Sequence, residues 1–229
     1  RVIDEELSPA QYGFAFLRFI HLIVALRLKF PSISILLNKY DFKSAYRRVH
    51  NDPYAIAHGI VTLGDLGKQN MALASLRLTF GGKPCPSIFS DISEATCDLA
   101  NAIARISPWD ITDDIPVHAH ILEDPIYVDS NIPFAPALPM LVDPEIDEFG
   151  GSEVFIDDLF SASLALSTDH INRGKFAPML AIETLSRPSH PKEPLPRDDM
   201  LALDKAKAEG PPTEFLIILG WELNTRQLL

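Results

Sequence analysis

Seven prolines between residues 107 and 151, at positions 108, 116, 125, 133, 136, 139 and 144, constrain this 229-residue chain more than any other feature. Proline lacks a backbone N–H and fixes φ, so a stretch this dense forms neither a helix nor a central strand. An extended, irregular insertion over 107–150 is therefore expected, mobile or covering a ligand, between two blocks of regular structure.

The first block opens with Phe16, Phe19, Ile20, Ile23 and Leu26 at helical spacing, which predicts a helix over 14–29 that stops at Phe30-Pro31. Arg27 falls on that stripe near the helix end, where its long stem is expected to reach water. Arg18, His21, Arg27 and Lys29 interrupt the apolar run, so it does not read as a membrane span. "ISILLNKYDF" reads as a buried strand with Asp41 at its end, and "AIAHGIVTL" and "ALASLRLTF" as a hairpin. A long helix follows over 86–106, its inward face expected at Ile88, Ile92, Ala95, Leu99, Ile103 and Ile106. In the second block "SEVFIDD" and "SLALS" read as paired strands, and 168–186 as a helix weakened by Gly174 and Pro178. A Pro-rich link, a short charged helix at 200–209 and a last strand, "TEFLIILGWEL", complete it. The expected class is α+β, an antiparallel sheet backed by helices.

Net charge is −11, which by itself argues against a nucleic-acid partner. Its distribution does not: residues 1–50 carry eight Lys or Arg against four Asp or Glu, and the remainder twelve against twenty-seven. Cys85 and Cys97 lie twelve positions apart with no CxxC spacing, so an intracellular, reducing setting is expected. A chain that starts at Arg1 reads as a fragment.

Asp41 and the Asp157-Asp158 pair each end an apolar run. Two divalent ions roughly 3.5–4 Å apart need carboxylates on rigid neighbouring strands, and phosphoryl transfer uses such pairs. A lone DD pair is equally what an exposed turn or a helix cap looks like.

Four segments occur in the order of motifs A, B, C and E of reverse transcriptase palm domains: "YDFKSAYRR", "LTFGGKPCPSIF", "FIDD" and "ILGW". The chain resembles reverse transcriptases of retrotransposon type over nearly its whole length, the insertion least. The resemblance implies an antiparallel palm sheet with ferredoxin-like β-α-β-β-α-β connectivity, divided as a lead-in helix over 1–32, a palm over 33–106, the insertion over 107–150, and the remaining palm over 151–229, with fingers and thumb outside the chain. It implies RNA-directed DNA polymerase activity on an RNA or DNA template with primer and deoxynucleoside triphosphates, and no membrane partner. Asp41, Asp157 and Asp158 are the implied catalytic residues and ligands of two Mg²⁺ ions, or Mn²⁺. Ser44, Ala45, Tyr46, Phe80 and Gly81 are the implied nucleotide contacts, with Tyr46 as the steric gate against a ribose 2′-hydroxyl. Arg47, Arg48, Pro86, Phe155, Gly220 and Trp221 are the implied template and primer contacts. Departures from the family pattern are Thr79 for Pro, Phe80 for Gln, Cys85 for Ser and Phe155 for Tyr; none removes a metal ligand. For the motif D lysine, Lys205 and Lys207 are candidates.

Two further readings stay open. One is an inactive palm remnant that binds nucleic acid or protein; the other is a different palm-type nucleotidyl transferase or cyclase, which leaves "LTFGGKPCPSIF" and "ILGW" unexplained. Exposed Arg pairs such as Arg47-Arg48 are often only solvated, and Trp221 reads as a packing residue that supports the primer grip. His118 and His120, beside Asp113, Asp114, Glu123 and Asp124, imitate a metal site but read as an acidic loop.

Overall fold

Three strands carry the molecule: β1 (Ile35–Asp41), β2 (Gly151–Phe155) and β3 (Asp158–Leu164), ordered β1-β3-β2 with both pairings antiparallel. The computed structural model describes residues 12–62, 64, 71–82, 85–108, 116–129, 131–136, 145–186, 192 and 198–227. The helices are α1 (Ala15–Lys29), α2 (Ala45–Arg48), α3 (Pro53–His58), α4 (Cys85–Ala104), α5 (Thr168–Ser186) and α6 (Leu203–Glu209), and β4 (Phe215–Ile218) and β5 (Trp221–Asn224) form a separate hairpin. The class is α+β with small antiparallel sheets. Among the described residues no helix is long and apolar enough to cross a membrane.

Strand alternation sorts the sheet's two faces. Ile35 and Leu37 of β1 and Phe160, Ala162 and Leu164 of β3 pack on Phe19, Ile23 and Leu26 of α1 and on Leu216 and Ile218 of β4. On the other face Tyr40, Val154 and Leu159 meet Phe89 of α4 and Met179 and Ile182 of α5. With both faces covered, even polar side chains of these strands are buried, Asn38 in β1 and Ser161 and Ser163 in β3. Outside the three strands, Thr213 exchanges both backbone hydrogen bonds with Leu37, a single antiparallel bridge on the free edge of β1.

Gly174 and Pro178 do sit inside α5, yet the helix runs unbroken over the expected span. Gly174 lets α5 lie close to β3, because a Cβ there would overlap the side chain of Ser163.

Several expectations are corrected. The buried face of α4 is Phe89, Ser90, Ser93, Thr96, Cys97, Ala100 and Ala104, a row turned away from the stripe of larger side chains. Small residues admit the close approach of α5 and β2, and the hydroxyls of Ser90 and Thr96 satisfy themselves on the carbonyls of Pro86 and Ile92, at 2.8 Å each. The expected hairpin over 55–80 is instead α3 flanked by isolated antiparallel bridges, Val61 with Leu73 after it and His50, before it, with Arg77. Asp52 caps α3 by accepting from the N–H groups of Tyr54 and Ala55, with Pro53 at the first helical position. The final strand is a hairpin, because Leu219 (φ 52) and Gly220 (φ 82) supply the two positive φ values of a type I′ turn.

Arg27 does not reach water. It is fully buried, donating to the carbonyls of Ile33 (2.7 Å), Pro31 (3.2 Å) and Thr225 (3.0 Å). Beside it Arg226 grips Glu214, which is 0% exposed, through two guanidinium nitrogens at 2.9 and 3.1 Å. Both guanidinium groups stack on the ring of Phe134 in the insertion, Arg27 at 4.3 Å and Arg226 at 4.2 Å from its centre.

The described parts of the insertion are joined to the core by hydrogen bonds. Irregular backbone has no ladder of its own, so charged side chains of the core supply its partners. Glu214 accepts from the N–H of Val128, Arg226 donates to the carbonyl of Ile132, and Lys175 to that of Glu123. Glu183 accepts from the N–H groups of Val117 and His118, which fixes the His118 and His120 segment as structure; Asp113 and Asp114 lie outside the described residues.

Candidate active site at one end of the sheet

Asp41 is the last residue of β1 and stands directly opposite Asp158, the first of β3, which is also paired with Phe155 at the end of β2. Directly paired residues share a face, so the two carboxyl groups meet across the sheet end. Asp157 is not on a strand: with Ile156 it forms the two-residue turn between β2 and β3. Ile156 holds φ at 58, a cost of roughly 1–3 kcal/mol for a β-branched side chain. Positive φ at the first turn position alone is the type II′ pattern. The carbonyl of Asp157 accepts from the N–H of Phe42, 3.2 Å away, which fastens the turn to the residue after Asp41.

Electrostatics record the crowding. Burial, a hydrogen bond to Asp41 and its charge push the Asp158 carboxyl up to about 7, against an ordinary 3.8. Burial and the charge of Asp41 raise Asp157 as well. Two lysines answer this charge. Lys205 of α6 places its ammonium 2.8 Å from Asp41, whose side chain is 5% exposed. Lys39 stands 4.0 Å from Asp158 and is held from its other side by Glu209, 3.0 Å away. Burial works to lower the pKa of Lys39, but the bond to Glu209 and the charge of Asp158 outweigh it and raise it.

A cleft of about 1110 Å³ opens beside the turn. Asp157, Ser44, Ala45, Tyr46, Arg47 and Phe80 line it, so one catalytic candidate and four of the five nucleotide candidates share a wall with one proposed template contact. Lys43, Arg77 and Lys205 line it too, which makes the cleft wall basic in a chain of net charge −11. Ser44 is left-handed (φ 57), turning the chain sharply from β1 into α2. An aromatic series supports the floor: Phe42 on Phe89 at 5.4 Å, Phe89 on Tyr46 at 5.9 Å, and Tyr46 on Phe80 at 6.0 Å. Phe80 is 92% exposed. Gly81 turns at φ 85, with nothing near a Cβ, so backbone conformation is what calls for glycine there.

Other candidates are not brought to the cleft. Arg48 donates to the carbonyls of Lys43 (3.1 Å), Asp198 (2.9 Å) and Asp199 (2.6 Å), a pin between α2 and the segment before α6. Pro86 is half-buried in the first turn of α4. Phe155 stands in line with Asp158 but packs against the α1 side of the core. The Thr213–Leu37 bridge directs β4 away from Asp41, so Gly220 and Trp221 lie with α1, where Trp221 stacks on Phe16 at 6.2 Å and is 65% exposed. Trp221 is therefore not a core residue. Lys43 and Arg77 were missed from sequence; a basic residue two positions after a site acid was the available signal for Lys43, and Arg77 offered none.

The carboxylate set has the hard oxygen donors that suit Mg²⁺ or Mn²⁺. Its arrangement is a facing pair with a third acid in the adjoining turn, and among the described residues no group of three or more His, Cys, Asp or Glu forms a ready metal cluster. A cation does stand at Asp41, and it is the ammonium of Lys205. No family model matches the chain, and no curated protein matches it.

Proposed function

We propose that this chain is the palm of a reverse transcriptase of retrotransposon type, an RNA-directed DNA polymerase that adds deoxynucleotides to a primer 3′-hydroxyl. The observation that carries the reading is the facing of Asp41 and Asp158 across the sheet end, with Asp157 in the adjoining turn at the edge of a basic cleft walled by Tyr46 and Phe80; the two later acids lie 116 and 117 positions from the first. Strand order is consistent with it: β1-β3-β2 with Thr213 bridged to the outer edge of β1 is what β-α-β-β-α-β connectivity generates.

Asp41, Asp157 and Asp158 would hold two Mg²⁺ or Mn²⁺ ions, which when bound supply the Lewis acidity that activates the primer hydroxyl and neutralises the leaving pyrophosphate. The chain's own groups do the rest. The turn at Ser44 presents backbone N–H groups toward the triphosphate, and Lys43, Arg47 and Arg77 offer cations to its phosphates. Tyr46, held between Phe80 and Phe89, forms the wall that a 2′-hydroxyl would strike, so deoxynucleotides are favoured.

Primer extension on an RNA template by the full-length protein tests this. Asp157→Ala should lower deoxynucleotide incorporation by roughly 10²-fold or more, the scale on which aimed electrostatic groups act; equal incorporation by both proteins would overturn the assignment. The ion pair between Lys205 and Asp41 favours a second reading, a remnant that binds nucleic acid without chemistry. That reading predicts template binding with no extension by the wild type.

A further inference from the structure

We infer that Lys205 is a tethered counter-ion of Asp41, so that a divalent ion enters the site by exchange, displacing the ammonium group. The inference rests on the reading of Asp41 as a metal ligand and says how this chain controls access to it.

The side chain of Asp41 is 5% exposed, and a carboxylate buried to that degree is costly without a cation beside it. Lys205 meets that need at 2.8 Å from α6, a different element from any that carries the aspartates. An ammonium group and a divalent ion on the same carboxylate oxygen would repel at contact distance, so the two occupancies exclude one another.

The two lysines at the sheet end differ in how easily they can leave. Lys205 is 63% exposed along its side chain, so its head can swing into water at little desolvation cost. Lys39 is 15% exposed and fixed by Glu209, so it stays. Backbone anchoring makes the exchange local: Ala206, the next residue, is 2% exposed in the core, and Glu209, one turn on, keeps its bond to Lys39. The helix therefore remains docked whichever cation Asp41 holds, and only one side chain moves.

Mn²⁺ titration of the metal-stripped full-length protein, read by the electron paramagnetic resonance of the free ion alongside thermal melting, tests this without requiring activity. Lys205→Met keeps the stem and drops the charge. It should bind Mn²⁺ about tenfold more tightly than wild type, since a charge-assisted bond no longer competes. Without metal it should melt below wild type, and Mn²⁺ should close the gap. Lys205→Arg, which keeps the charge, should retain wild-type affinity, and Lys207→Met, exposed on the same helix, should match wild type in both measurements. Mn²⁺ affinity of Lys205→Met equal to or weaker than wild type overturns the inference and leaves the metal-ligand reading standing. Absence of Mn²⁺ uptake by wild type and Lys205→Met alike, with Asp41→Asn no different, overturns the metal-ligand reading and the inference with it.

Discussion

Asp158 shows at the scale of one residue how a site differs from a surface. Its carboxyl titrates near 7 in the folded chain and near 3.8 in an ordinary setting, so the folded form holds a proton that the unfolded form releases. Stability from this group is whole below pH 3.8 and declines as pH rises toward about 7. Without divalent ions, Asp158→Asn should therefore lose less stability than wild type between pH 4 and pH 7.5, by on the order of 1–3 kcal/mol, in denaturant melts at the two pH values. Tyr46 gives a second residue-scale prediction, which follows from the proposed polymerase function: Tyr46→Val opens the wall beside Phe80 and should raise ribonucleotide incorporation relative to deoxynucleotide by about tenfold or more, read by primer extension with each nucleotide type. The aspartates stood out in sequence because an acid beside an apolar run breaks the pattern of its neighbours, although only Asp41 ends a strand; Asp157 lies in the turn and Asp158 opens β3. Arg27, Glu214 and Arg226 were not, since a charge that is paired inside reads the same in sequence as one that is solvated.

Elements were legible in proportion to their length. α1, α4 and α5 were expected within about two residues of where they lie, because three or more turns give the apolar period room to show. Which face of α4 is buried was not, because side-chain size and hydrophobicity point opposite ways there: the close approach of α5 selects Ser, Cys and Ala over Ile and Leu. The six-residue α3 was hidden in an apolar run, although Asp52-Pro53 and Gly59 mark both of its ends. Two predictions belong to this scale. Gly174→Ala should lower stability by about 1–3 kcal/mol in urea unfolding, since the new methyl overlaps Ser163. Asp52→Ala removes two accepted hydrogen bonds from α3 and should cost about 1 kcal/mol locally, seen as faster amide exchange over residues 53–58 with the global melt little changed.

Across the whole molecule, the pairing of distant segments is what sequence does not display. The insertion looked like a loose excursion because proline forbids regular structure, but proline says nothing about tertiary partners. Those partners include Arg27 and Arg226, both stacked on Phe134; Glu214, which Arg226 grips; and Lys175 and Glu183 of α5. Arg226→Ala strands Glu214 as a buried charge and should destabilise the chain by about 3–5 kcal/mol in urea unfolding, while Arg226→Lys recovers only part of this because a guanidinium fork matches the carboxylate. The pairing of β1 with β3 has a consequence of another kind. Side chains alternate along a strand, so Asp41 faces Asp158 only while every residue from Ile35 onward keeps its count. A single-residue deletion within β1, at Asn38 for instance, would leave the strand apolar and able to pair, yet would aim the carboxyl of Asp41 at the opposite side of the sheet. Frame-preserving length changes in this seven-residue strand are thus predicted to abolish the site, and to turn Tyr40 out of its buried place against Lys175 along with it, which makes β1 a counting device as much as a support.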